Sequence, residues 1–328
     1  MVIYSSYFTL LVRPILRSLI SIFLTRVLYS TTLRLKRKAS NLNSLNLQIN
    51  ITVVQLLKIE WLKLKSYSAF IVISLFFMVG ILAANYIVYS FKKNVVDKAD
   101  PLGLISSSSP YDFNLVWQTT SYVSGWLLLL PGLVLIMLVT NEFTFRTHRQ
   151  NIIDGWSRQQ FIHVKIAMAV IVALVATLMV IVTALLFGFA SGTTFALTNF
   201  ESVGYFFLKA ITYNMIALLI GVLVRKTGFA IGLFFIYLWF ENFISTLLEV
   251  ASYKLKENYQ FDAGNLGDYL PMNAADGLLR IPKTTLGDIA KKAVAMPHDY
   301  LYIGMALAIC YLVIFFYWSK NRIETTDL

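Results

Sequence analysis

Two ionisable side chains stand inside apolar runs, where charge is costly. Lys209 lies in the run 203–224 and Glu241 in the run 228–250, with Asn214 and Asn242 near them in sequence. Charges held at bilayer depth are expensive, so they pair, face a cavity or serve a pathway. Only residues 225–227 join the two runs, which makes them an antiparallel hairpin. At a rise of about 1.5 Å per residue, Lys209 and Glu241 lie about 9 and about 14 Å below its far end. The spacing predicts a direct Lys209–Glu241 ion pair, with a pathway or gating role as the alternative.

Catalytic chemistry has no comparable footing. The sequence contains no GxxxxGK[ST] phosphate loop, HExxH or GxSxG, so nucleotide hydrolysis by this chain is not expected. His148, His163 and His298 are scattered, and no ligand set surrounds them. The single cysteine, Cys310, sits in an apolar run and can build neither a disulfide framework nor a thiolate metal site. No catalytic residue, metal or cofactor is predicted within the chain.

The positioning elements are apolar helices. Of 328 residues 58% are hydrophobic and 14% charged, whereas a soluble domain is closer to half apolar and a quarter charged. Uncharged or nearly uncharged stretches at 69–90, 117–140, 166–190, 203–224, 228–250 and 300–319 each approach or exceed the roughly 20 residues that cross a bilayer core. Apolarity all round at this length favours helices over alternating strands. The expected fold is an all-α integral membrane protein with six spans and both termini on one side. The net charge of +11 reflects basic residues gathered at span ends, which argues for a lipid surface and against nucleic acid. Eighteen Lys and Arg fall on the side of the termini and nine on the other. That bias places both termini in the cytoplasm.

Ahead of the spans, residues 1–50 are basic and interspersed with Leu, Ile and Ser, and no acid occurs before Glu60. They form a separate N-terminal extension, open to three readings: an interfacial helix, a transit peptide, or residues upstream of a true start near Ile51. The stretch 55–66 predicts an amphipathic interfacial helix with Leu56, Leu57, Trp61 and Leu64 toward the membrane and Lys58, Lys63 and Lys65 toward water. On the outer side, 251–299 is broken by Pro271, Pro282 and Pro297, with short helices expected at 274–280 and 286–295.

The segment 141–165 is the most distinctive polar stretch. It carries Arg146, Arg149, Arg158 and Lys165 against Glu142 and Asp154, and it lies between the second and third runs. Phe143, Phe145, Ile152, Ile153, Trp156 and Phe161 make it too apolar for a free loop. Several recur at helical spacing, so some of that surface is expected to face lipid headgroups, the protein's own spans or a soluble partner.

An amphipathic lead-in, six spans with both ends inside, this loop and a long outer segment before the sixth span together resemble the type-2 ABC exporter permeases, the ABC-2 membrane family. The resemblance covers 51–328. Loops of that family read as an acid, a Gly-Thr-like pair, a hydrophobic stretch, a Ser-Arg pair and a Lys opening the third span. Here Glu142, Arg146-Thr147, Ile152-Ile153, Ser157-Arg158 and Lys165 stand at those places, and Asp154-Gly155 replaces a frequent Pro. The resemblance implies a permease subunit of an exporter in the inner (cytoplasmic) membrane. It would form the pathway as a homo- or heterodimer with a second permease subunit. ATP and Mg would be held by separate ABC ATPase subunits, with 141–165 as the coupling helix. Glu142, Arg146, Ile152, Ile153, Trp156, Ser157 and Arg158 would then make the ATPase contact. The alternatives are a non-transporting structural membrane subunit of a cell-surface machine and an ion-coupled carrier using Glu241 and Lys209.

Overall fold

The computed structural model describes residues 44–91, 94, 109–153, 157–259, 264–280 and 300–325. The regular elements among them are helices: α1 (Ser44–Lys65), α2 (Ser68–Phe91), α3 (Val116–Gly125), α4 (Leu129–Thr144), α5 (Thr147–Ile153), α6 (Arg158–Ala190), α7 (Glu201–Val224), α8 (Thr227–Tyr259), a 3-10 turn (Leu266–Tyr269), α9 (Pro271–Asp276) and α10 (Tyr300–Thr325). Among the described residues the chain is all-helical, as a multi-pass membrane protein is. Five of the described helices are long and apolar enough to cross a bilayer: α2, α6, α7, α8 and α10. The pair α3–α4 passes the same test as one bent unit, with 48° between its halves.

Two compact units make up the chain, Met1–Val72 and Ile73–Leu328. In the first, α1 buries Leu56, Glu60 and Leu64, one residue per turn along a single stripe. The expected assignment of Leu56 and Leu64 to a lipid-facing surface is therefore corrected: they are buried, and Ile59 and Leu62 are exposed instead. Glu60 sits in the buried stripe and takes Lys63 Nζ at 3.1 Å. The Trp61 ring meets Phe70 edge-on. Of the N-terminal extension, 1–43 lie outside the described residues, as does the helix expected at 286–295.

In the second unit the bend between α3 and α4 has a local cause. Pro131 has no N–H to give the carbonyl of Leu127, which is taken at 3.0 Å by the N–H of Leu130. The chain tightens through 126–128 and restarts with Pro131 in the first turn of α4, a position proline tolerates. The α3 half is polar yet buried. Thr119 and Thr120 return their hydroxyls to backbone carbonyls at 2.6–3.0 Å, and Asn85 Nδ2 donates to Ser124 Oγ at 3.2 Å.

Helix α7 is the centre of the bundle, packed by α3, α4, α6, α8, α9 and α10. Its most apolar window is 72% buried, against 11% for α8. The outer surface of α8 accordingly exposes Ile236, Trp239, Phe240 and Phe243. Lipid removes most of the hydrophobic incentive for helices to associate, so close packing over small residues carries the load. A β-carbon on Gly132 would stand 2.9 Å from Phe234, and one on Gly221 would stand 3.3 Å from Val139. Ala169, Ala173, Ala176, Ala210 and Ala217 are all buried.

Candidate functional site

Two polar constellations stand out, one at the end of the bundle that carries α5 and one deep within it. The first is built where α4 ends. Glu142 occupies its last turn, and Lys165 lies two turns inside α6, which begins at Arg158 and not at 166. The Lys165 ammonium is 2.8 Å from Glu142, with side-chain exposures of 1% and 5%. Lys165 also lies 5.3 Å from the centre of the Phe161 ring. Both motif positions of the resemblance that carry these charges thus meet in one buried ion pair, which sequence reasoning had left as two separate letters.

From Glu142 the chain turns through Arg146, whose φ of 56° lies in the left-handed region. That conformation is natural for glycine and strained for other residues. It is also the position where the resembling loops carry Gly. Helix α5 follows, and His148 folds back so that Nδ1 lies 2.9 Å from the Glu142 carbonyl oxygen. Phe143 and Phe161 turn inward, 6.5 Å apart between ring centres. Phe145 and Ile153 point the other way, with exposures of 70% and 83%. Ile152 is in α5, and Trp156, with Asp154 and Gly155, lies outside the described residues.

Ser157 is a helix cap. Its Oγ accepts the Gln160 N–H at 3.1 Å while Gln160 Oε1 accepts the Ser157 N–H at 3.0 Å, a reciprocal capping box that satisfies two orphan donors. Arg158 Nη1 donates to the Glu324 carbonyl at 3.0 Å, which ties the start of α6 to the end of α10. The α7–α8 turn joins the same end. The Arg225 guanidinium stands 5.0 Å over the Phe143 ring, and the hydroxyls of Thr140 and Thr227 are 2.9 Å apart. The helix ends that flank α5 are therefore joined to one another and to α8 and α10, while α5 itself is tied to α4 through His148.

The second constellation contains Lys209 and Glu241. Counted from the shared turn, both lie about 21–23 Å along their helices, at matching depth. Their expected mutual pair is nevertheless not formed. Lys209 Nζ pairs with Asp276 Oδ1 at 3.2 Å. Glu241 Oε1 instead accepts the backbone N–H groups of Met272 at 2.5 Å and Asn273 at 3.0 Å. The reason is α9, which enters between the two charges and offers each a nearer partner. The carboxylate of Glu241 supplies the cap that Leu270, at the N-terminus of α9, lacks in its own side chain, and it meets the positive end of the helix. At the other end, the Tyr213 hydroxyl donates to Asp276 Oδ2 at 3.0 Å. A β-carbon on Gly125 would stand 3.1 Å from Lys209 Nζ, so the ammonium rests against the last residue of α3, directly at the bend. Asn214, near Lys209 in sequence, donates to the Ala169 carbonyl at 3.0 Å, and Asn242 donates back to Leu238 of its own helix.

Asp276 and Tyr213 are the site residues that sequence reasoning does not single out, and for Lys165 it gives the motif position without the partner. For Asp276 the only available signal was an acid in the short helix expected near 274–280. No protein-family model matches the chain, and no characterised protein matches it in sequence.

Proposed function

We propose that this chain is the permease subunit of an ATP-binding cassette transporter of the ABC-2 type, an exporter driven by separate ATPase subunits. Six spans are counted in this reading, α3–α4 being one bent span, with both termini in the cytoplasm and a second permease subunit completing the pathway. The observation that carries the reading is the α5 element. It offers exposed Phe145 and Ile153 at and beside a short helix; His148 ties that helix to the end of α4, and the helix ends on either side of it are joined to the spans through Glu142–Lys165, Arg225–Phe143 and Arg158–Glu324. Apolar side chains presented on a braced polar element suit a soluble partner. The bracing lets a partner's movement reach several spans together, as a two-state transition requires. The left-handed backbone of Arg146, at the glycine position of the resembling loops, supports the same reading. The ion-coupled carrier alternative is less well supported, because Lys209 and Glu241 are occupied in holding α9.

The test is purification of the chain from its native membrane with its bound subunits, followed by measurement of ATP hydrolysis in the complex. Phe145→Asp with Ile153→Asp should leave the membrane subunit folded and monodisperse while removing the hydrolysing subunit. Retention of that subunit at wild-type stoichiometry would overturn the coupling assignment.

A further inference from the structure

Helices α7 and α10 pack along each other, and α7 passes into α8 through Arg225 and Lys226 alone. Arg225 caps α7 with a left-handed backbone, φ 59°, and its N–H closes on the Gly221 carbonyl at 3.1 Å. So tight a turn gives the side chain no loop on which to swing into water. The guanidinium lies half-buried, 5.0 Å over the Phe143 ring. An aromatic face engages the flat side of a guanidinium and leaves the N–H groups around its edge to find acceptors elsewhere. Among the described residues no carboxylate pairs with Arg225, and no acceptor takes its side-chain N–H groups.

Its neighbours are cations. Burial, and after it the charge of Arg322 on α10, loosens the hold of Arg225 on its proton. An arginine keeps its charge in a protein all the same, so the repulsion remains. Lys226 stands exposed beside Arg225 in the turn. Like charges gathered where water is partly excluded are costly until an opposite charge comes between them.

The flanks indicate which anion that is. Trp318 is exposed and lies one turn before Arg322 on the same face of α10. Phe229 is exposed in the first turn of α8. Large apolar side chains toward the spans, with cations at the helix ends, form the pattern of a membrane interface. A phosphate that belongs to a lipid arrives with its acyl chains against Phe229 and Trp318, whereas a free phosphate would have to leave water for an apolar rim. A choline headgroup would bring a further cation against Arg322 and Lys226; an anionic headgroup would not.

We propose that Arg225, Arg322 and Lys226 hold the phosphate of one anionic phospholipid at the end of the bundle that carries α5, with Phe229 and Trp318 against its chains. The Arg225 fork can offer paired N–H donors to two phosphate oxygens, a match that lysine does not reproduce. The site requires α7, α8 and α10 in a bilayer and nothing of ATPase docking, so it stands or falls separately from the permease reading.

The test is native mass spectrometry of the full-length chain in detergent, titrated with phosphatidylglycerol and with phosphatidylcholine of the same chains. The first phosphatidylglycerol should bind about tenfold or more tightly than the first phosphatidylcholine; equal binding would overturn the proposal. Arg225→Gln with Arg322→Gln should abolish the preference. Arg146→Gln with Arg149→Gln, which removes two exposed charges at the same end, should keep it. Equal loss in both double variants would reduce the effect to net charge and overturn the site. Displacement of phosphatidylglycerol by inorganic phosphate would overturn the lipid as its source. Should Arg225→Gln with Arg322→Gln keep the lipid preference and lose a bound protein subunit, the cluster would belong to that partner and the proposal would fall. If that variant does not fold, Lys226→Gln with Arg322→Gln, both at exposed positions, decides: a preference kept at wild-type strength would overturn the proposal.

Discussion

The Lys165 ammonium lies 2.8 Å from the Glu142 carboxylate, and both side chains are almost wholly buried. Removing one partner of a buried pair leaves an uncompensated charge and costs about 3–5 kcal/mol, whereas replacing both by apolar groups is often close to neutral. Lys165→Met alone should therefore lower the melting temperature sharply. Glu142→Leu combined with Lys165→Met should recover most of the loss. Additive losses in this double-mutant cycle would show that the two residues act separately.

Arg146 offers the opposite kind of change. Its left-handed backbone costs a non-glycine residue roughly 1–2 kcal/mol. Arg146→Gly should stabilise the protein by about 1 kcal/mol after allowing for the greater freedom of glycine in the unfolded chain. The measurement is thermal unfolding in detergent, with Arg146→Ala as the control that keeps the strain. A loss of stability in Arg146→Gly would mean that the arginine side chain makes a contact worth more than the relief.

Glu241 should tolerate loss of charge better than loss of its oxygen. Glu241→Gln keeps an acceptor for the Met272 and Asn273 N–H groups and should be mild, whereas Glu241→Leu orphans both and should cost about 2–4 kcal/mol. Had the carboxylate been the counter-ion of Lys209, Glu241→Gln would have been severe. Comparison of the two melting temperatures separates the roles.

Asp268, in the 3-10 turn outside the spans, carries a carboxyl pushed up to about 6 by burial, with the Glu249 carboxylate adding to the rise. A folded-state value above the unfolded one means that the neutral form is preferred in the fold. The contribution to stability is full below the ordinary aspartate value near 4 and is lost as pH rises through about 6. Protection of 266–270 against exchange, corrected for intrinsic rates, should therefore increase from pH 7.5 to pH 5. Asp268→Asn should flatten that dependence.

The proposed orientation rests on the basic bias and is open to a direct check. In a Cys310→Ser background, a cysteine at 265 should react with an impermeant reagent in intact cells, and one at 150 only after permeabilisation. The reverse pattern would invert the topology and remove the α5 element from the reach of a cytoplasmic partner.

The sequence by itself determined that the chain is a helical membrane protein, where its apolar helices run, and that 141–165 is a structured connector. Each of these rests on local composition and length: about 20 apolar residues must become a helix in lipid, since no water remains to satisfy the backbone. It also singled out Lys209 and Glu241 as charges that need partners, because the cost of burying a charge is a property of the residue. The identity of those partners belonged to the tertiary structure. Successive residues turn by about 100° around a helix, so equal depth does not bring two side chains face to face, and α9 came between them from a part of the chain more than thirty residues beyond Glu241. The same holds for Glu142 and Lys165, which share one end of the bundle in any antiparallel hairpin but become a buried pair only through the rotation of α4 against α6. The bend at Pro131 was written locally, yet the ammonium that rests against its upper half comes from α7. Long-range packing decided which polar groups meet, and one of those meetings, Glu142 with Lys165, supports the proposed coupling role.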